Sequence, residues 1–268
     1  MDKALPEQLM TQVMANPKYQ SITQDLVRRL CQEAITAGLT GKPAVKFVRN
    51  KLHQVGGAYF KKQVDYQDAA QQLADLPNIL NTDATKDYCR NLMRSHSSTA
   101  ERLPILEAFF QTSLASIAPI TSVTDLACGL NPLAIPWMPL ADDVQYHACD
   151  IYIDMLGLIE KFFGHFNISS TSKPCDLITN IPAEKTQVAF LLKSAPCLEQ
   201  MDKSILIRLM EDIQAEHVLV SFPVHSLGGR QKGMQGFYRD RFISLLAEKP
   251  WGIEEFQFKT ELAFLVSK

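Results

Sequence analysis

The 268-residue chain is short of the features that mark several large protein classes. Its six cysteines (Cys31, Cys89, Cys128, Cys149, Cys175 and Cys197) stand far apart and form no C-x-x-C pair. That spacing argues against the usual structural zinc sites and against the disulfide frameworks of small secreted domains, so reduced thiols and no metal site are expected. Long apolar runs are absent too. The longest uncharged stretch, 108–124, is broken by Gln, Ser, Thr and Pro, and the segment Met1-Asp2-Lys3-Ala4-Leu5-Pro6 has no apolar signal core. No membrane span is expected, and a cytoplasmic location is the simplest expectation. The G-x-G-x-x-G turn of dinucleotide-binding folds is missing as well, which argues against a nicotinamide-dependent oxidoreductase. Neither internal repeats nor low-complexity tracts occur, and 46% hydrophobic with 21% charged residues is the composition of a folded globular chain.

What is present begins with an uneven charge distribution. Residues 1–62 hold 10 basic residues against 4 acidic ones, whereas the whole chain has 27 against 29. A basic first quarter on an otherwise acidic protein favours a partner that carries phosphates. The same region reads as helical. Ile22, Leu26, Val27, Leu30, Cys31 and Ala34 recur at helical spacing, and residues 44–55 are two-faced. Val45, Val48, Leu52 and Val55 form one stripe of that helix, and Lys46, Arg49, Asn50 and His53 form the other. Such a helix can pack its back on a small bundle and still turn its front to a phosphate backbone, which makes Lys46, Arg49 and His53 candidate phosphate-backbone contacts; the plain alternative is a solvated face. A polar helical stretch over 65–95, with a loop near Leu76-Pro77-Asn78, completes a helical first domain assigned to 1–95. Thr99 or Ser98 is then expected to cap a helix over about 100–118.

From Ser122 onward, short apolar runs alternate with helical stretches, the pattern of βαβ units and a mainly parallel sheet. Strands are expected near 123–128, 144–149, 187–193 and 217–222. Two last runs, 253–260 and 262–267, lie too close together for a crossover and read as an antiparallel hairpin. The first strand runs into Ala127-Cys128-Gly129-Leu130-Asn131-Pro132, a turn built on one glycine. The second ends in Asp150, 21 residues after Gly129. A glycine turn followed at that distance by a strand-end acid is how doubly wound α/β folds hold a nucleoside, with the carboxylate on the ribose hydroxyls. A single glycine suits a nucleoside without phosphates better than a pyrophosphate, and S-adenosylmethionine is the common one. A second domain, 96–268, is therefore expected to be a Rossmann-like S-adenosylmethionine-dependent methyltransferase. Asp176 and Leu177, where the third strand should end, are placed to meet adenine. Lys193 ends the fourth strand at the edge where an acceptor would sit, and suits a polyanionic substrate.

A second informative segment runs from Val220 to Met234. An apolar strand opens into a loop with three glycines, Arg230 and Lys232, able to wrap a phosphodiester, while Phe222, Met234 and Phe237 offer surfaces for a displaced base.

Four segments in order resemble the Arm/Rmt aminoglycoside-resistance 16S ribosomal RNA guanine-N7 methyltransferases. They are Lys51-Leu52-His53-Gln54 with Gly57-Ala58-Tyr59; His96-Ser97-Ser98-Thr99-Ala100-Glu101-Arg102; Cys128-Gly129-Leu130-Asn131-Pro132-Leu133-Ala134; and Ser221-Phe222-Pro223 with Ser226-Leu227-Gly228-Gly229-Arg230 and Lys232-Gly233-Met234. The resemblance implies a monomer that docks its helical first domain on the 16S rRNA of the assembled 30S subunit, with no role for DNA or membrane. It implies methylation of a decoding-site guanine and resistance to gentamicin- and kanamycin-type drugs. Carried over residue by residue, the cofactor pocket would use Phe60, His96, Ser97, Ser98, Arg102, Ala127, Asp150, Asp176, Leu177 and Leu192, with Arg102 on the methionine carboxylate. No general base is required, since guanine N7 already carries a free lone pair. The competing readings are a methyltransferase for another RNA or a small molecule, and a non-catalytic RNA-binding factor on the same fold.

Overall fold

The structure, a computed structural model, describes residues 4–57, 64–224 and 234–268. Phe60, Arg230 and Lys232, named above as candidate contacts, lie outside the described residues. Helices α1 (Ala4–Met14), α2 (Gln24–Thr36) and α3 (Gly41–Leu52) bury Leu9, Val13, Leu26, Val27, Leu30, Ala34, Val48 and Leu52 against one another in a core of their own. Helix α2 stops at Gly38, whose φ of 75° suits a residue without Cβ. There Leu39 N–H donates to Ala34 O (3.0 Å) and Gly38 N–H to Ile35 O (2.9 Å), satisfying carbonyls that the helix end would leave unpaired. Helix α3 runs on into a wider turn over His53–Gly57.

Helices α4 (Tyr66–Ala74) and α5 (Asp83–Met93) are capped by Asp65 and Thr82 as their sequences require. They send Leu73, Tyr88, Cys89 and Met93 into the core beneath the sheet, not into the N-terminal core. Among the described residues, the N-terminal core takes its residues from α1 to α3, and the core beneath the sheet takes in residues from Leu73 onward. The single helix expected over 100–118 is two: α6 (Ser97–Arg102) and α7 (Leu106–Ser113), separated by a short 3-10 turn over Leu103–Ile105. Pro104 has no N–H to continue α6 and divides the run. The expected Ser98 or Thr99 cap is corrected as well. His96 precedes the helix without a side-chain cap, and the Thr99 hydroxyl, inside it, donates to Met93 O (2.7 Å) and His96 O (3.1 Å).

The later apolar runs form one sheet: β1 (Ile120–Leu126), β2 (Leu140–Asp150), β3 (Ser169–Pro174), β4 (Thr186–Leu192), β5 (Ala215–Pro223), β6 (Gly252–Gln257) and β7 (Glu261–Ser267). Its order is β3-β2-β1-β4-β5-β7-β6. Strands β1 to β5 are parallel, and β7 lies antiparallel between β5 and β6. Burial of β1 and β4 along nearly their whole length reflects cover on both faces, the condition that favours parallel strands. Helices α8 (Ile153–His165), α9 (Ala195–Met201), α10 (Ile205–Asp212) and α11 (Met234–Leu246) fill the remaining layers. The strand order reverses between β1 and β4, and doubly wound sheets open a crevice at the carboxyl ends of such strands.

The N-terminal helices are stitched to that crevice. Thr23 N–H donates to Ile151 O (2.8 Å) and Ile153 N–H to Ser21 O (2.7 Å), so the chain just after β2 is zipped to the start of α2. Gly56 permits a second approach: a Cβ there would stand 2.6 Å from the Tyr152 hydroxyl.

Candidate active site

The turn after β1 needs two residues in the left-handed region, Ala127 (φ 49°) and Gly129 (φ 53°). Ala127 is the strained one, and it borders the cleft. A Cβ on Gly129 would stand 3.0 Å from the His96 ring, so the glycine also admits the imidazole. Asp150 ends β2 and fastens this turn. Its Oδ2 accepts from Gly129 N–H (2.9 Å), and its Oδ1 accepts from Ile151 N–H (2.7 Å) and Tyr152 N–H (3.2 Å). Burial pushes the Asp150 carboxyl above the usual carboxylate value, and those three N–H groups pull it back only in part.

A cleft with about 740 Å³ of empty space, part of it open to solvent, lies over these strand ends. His96, Ser98, Ala127, Asp150, Asp176, Leu177 and Leu192 line it together. Ser97, Gly129 and Arg102 stand behind that lining. The lining also includes residues to which the sequence gives no cofactor role: Leu26 and Arg29 of α2, Val55 and Gly56 after α3, and Ile151, Tyr152, Cys197 and Leu198. An apolar stripe on α2 and α3 is equally consistent with a closed bundle, so no sequence signal marks those helices as a pocket wall.

Arg102 departs from expectation. Its guanidinium is fully buried and paired with the protein's own carboxylate, Nε to Glu261 Oε1 (2.8 Å) and Nη2 to Glu261 Oε2 (3.0 Å). Nη1 donates to Asn131 Oδ1 (2.8 Å), and the group lies over the Phe109 ring. A contact with a methionine carboxylate is therefore not presented, and Arg102 braces the wall instead. Lys193 is corrected likewise. It is 3% exposed, its Nζ meets Glu101 (2.6 Å) and stands 3.7 Å from Glu261, and its φ of 61° turns the chain inward. It borders the cleft but offers no cation to an RNA surface. Asp176 is already engaged by Arg29, Nε to Oδ2 at 2.6 Å and Nη2 to Oδ1 at 3.3 Å.

Among the expected RNA contacts, Lys46 and His53 are exposed. Arg49 is half-buried, donating to Gln12 O (3.0 Å) and Val13 O (3.4 Å) at the end of α1, so it holds the bundle together. Met234 opens α11 half-buried, and Phe237 is exposed. Phe222 is not available to a base: it is buried and stacked on Tyr238, with ring centroids 5.1 Å apart.

The His96 imidazole is held down to about 4 by burial, reinforced by the positive charges of Arg102 and Lys193. It is neutral at physiological pH, so it adds no repulsion for a cationic sulfonium. A buried strand-end carboxylate fastened by a glycine turn, a second carboxylate on the next strand, a neutral imidazole and apolar cover from Leu177 and Leu192 fit an adenosyl sulfonium ligand.

This fold and site define the S-adenosylmethionine-dependent methyltransferases. The sequence profile of the ribosomal RNA methyltransferase (FmrO) family matches residues 15–265, and the chain belongs to that family. A 16S rRNA (guanine(1405)-N(7))-methyltransferase of Micromonospora echinospora is 32% identical over 274 residues, covering 100% of both chains. One from Serratia marcescens is 29% identical over 260 residues, covering 97% of each. The crystal structure of the 16S rRNA methyltransferase RmtF with S-adenosyl-L-homocysteine superimposes with a TM-score of 0.82 at 28% identity, covering 100% of this chain and 99% of that one.

Proposed function

We propose that this chain transfers a methyl group from S-adenosylmethionine to N7 of a guanine in the decoding site of 16S rRNA. It does so as a cytoplasmic monomer on the assembled 30S subunit, and the product confers resistance to gentamicin- and kanamycin-type aminoglycosides. The observation that carries this reading is the Gly129–Asp150 clasp at the mouth of the cleft, in a chain whose full-length relatives are named for guanine-N7 methylation of 16S rRNA.

S-adenosylmethionine, when bound, supplies an electrophilic sulfonium methyl. The chain's own residues bind and orient. Asp150 accepts from the ribose hydroxyls, Asp176 accepts from the adenine amino group, and Leu177 and Leu192 cover the ring. His96 stays uncharged beside the sulfonium. Guanine N7 needs no proton removed, so no residue acts as a base, and the rate gain comes from alignment and fixed electrostatics. N7 lies on the groove edge of a stacked base, so the enzyme takes the nucleotide out of its stack or uses a distorted one. Lys46 and His53, exposed on α3 and just after it, carry docking on the phosphate backbone, and Met234 at the start of α11 contacts the RNA. The helical first domain, 1–95, is the unit that docks.

Transfer of labelled methyl to purified 30S subunits, with naked 16S rRNA alongside and chemical cleavage at 7-methylguanine, tests the reading. A single 7-methylguanine in the decoding site, formed on subunits and not on naked RNA, is expected. Equal transfer to naked RNA would remove the subunit requirement. Cofactor binding with no transfer to either would remove the acceptor.

A further inference from the structure

Arg29 lies on α2, in the N-terminal helices, yet its guanidinium reaches across the cleft to the carboxylate at the end of β3. The pair is secluded, with side-chain exposures of 16% for Arg29 and 5% for Asp176. Two of the arginine's nitrogens meet both carboxylate oxygens, and its third, Nη1, is tied to Glu33 one turn along the same helix. Ile178 N–H adds a donor to Asp176 Oδ1 (3.2 Å). Those three bonds use most of the roughly four lone-pair positions of a carboxylate and leave room for one further donor. Both side chains line the cleft.

From this we infer that Arg29 is a positioning residue for cofactor specificity. It fixes the Asp176 carboxyl in one rotamer with both oxygens held as acceptors, so that the cleft accepts a purine with an amino group at C6 and rejects one with a carbonyl there. The inference rests on Asp176 being the acceptor for the adenine amino group. Oxygens held in place as acceptors face an amino N–H favourably and a carbonyl oxygen with repulsion. A side chain free to rotate can turn its oxygens away from that carbonyl, and the discrimination falls. Arg29 suits this task because its planar fork holds both oxygens at once, which a lysine ammonium does not. Burial disfavours the Arg29 charge, and hydrogen bonding and charge from Asp176 and Glu33 more than restore it.

The test is calorimetric binding of S-adenosylhomocysteine and S-inosylhomocysteine to the full chain, as wild type and as Arg29→Met, Arg29→Lys and Asp176→Asn, with thermal unfolding to verify each fold. Wild type should prefer the adenosyl ligand by about 100-fold or more, the scale of a site that rejects a ligand lacking its hydrogen-bond donor. Arg29→Met, close in length, should weaken S-adenosylhomocysteine while lowering the adenosyl-to-inosyl preference by roughly tenfold or more, and Arg29→Lys should fall between the two. If Arg29→Met weakens both ligands by the same factor while Asp176→Asn lowers the preference, Arg29 is only a brace and the inference is overturned. If Asp176→Asn leaves the preference unchanged, the adenine role of Asp176 fails, and the inference falls with it for that separate reason.

Discussion

Asp150 ends β2, Asp176 follows the end of β3, and both face one cleft, yet they are held by different means. Asp150 takes its three donors from the backbone of its own β1–β2 neighbourhood: Gly129, Ile151 and Tyr152. Asp176 takes most of its hold from one side chain, Arg29, 147 residues away in sequence. Glu261 at the start of β7 follows the second pattern, with Arg102 standing 159 residues before it. Backbone donors are obligatory groups that the fold must satisfy anyway, so a site built on them comes with the topology. A site built on distant cations depends on how separate units pack, and a single substitution removes it.

The sharpest way to break this comparison is at the distant pairs. Arg102→Met leaves a fully buried Glu261 with its bidentate partner gone, and should destabilise the fold by about 3–5 kcal/mol in denaturant unfolding. A loss under about 1 kcal/mol would mean that Glu261's other partners compensate, Lys193 at 3.7 Å and the Ser221 hydroxyl, which donates to its Oε2 (2.8 Å), and would weaken the contrast. At the local pole, Asp150→Ala should leave the fold in place and weaken S-adenosylhomocysteine by about 10-fold or more, since its three backbone donors leave one lone-pair position for the ligand and a hydrogen bond to a charged group is worth about 1.5–3 kcal/mol. Unchanged affinity by calorimetry would remove the ribose assignment.

The smallest effect is a pH dependence in which two buried groups oppose each other. His96 is held at about 4 against 6.5 for a free imidazole, so between those values the unfolded chain binds a proton that the fold refuses, and stability drops as pH falls. Asp125 is pushed up to about 7 by burial, against 3.8, so across that window the fold keeps a proton that the unfolded chain gives up, and stability drops as pH rises. The two slopes nearly cancel in the wild type. His96→Asn removes the first, and its stability should decrease as pH rises from about 4 to 7. Equilibrium denaturation at both ends of the window checks this, and a variant whose stability increased would show that His96 is not the opposing group.

The same contrast explains what the sequence could disclose. The Gly129–Asp150 clasp was legible because both ends are local to a βαβ unit, where a fixed spacing reports a fixed geometry. The sheet and its terminal hairpin were legible for a related reason: 258–260 is too short a link for anything else. Arg102 carries a family motif but its partner on β7 does not, so its pairing with Glu261 was not legible. Lys193 stood at a strand mouth, and nothing in its type or position announced the left-handed backbone that turns it toward Glu101. Arg29 looked like any cation on the polar side of a helix. Pro104 was the exception, since a proline inside a helical run is a visible breaker, and the split between α6 and α7 follows from it.

A crystal structure of the full chain with S-adenosylhomocysteine tests the central claim most directly. The account predicts density in the cleft at the β1–β4 reversal, with the ribose hydroxyls on Asp150, the adenine amino group on Asp176 still paired to Arg29, and Val55 and Gly56 against the ligand. A ligand bound elsewhere, or one that left Asp150 and the N-terminal wall untouched, would contradict it.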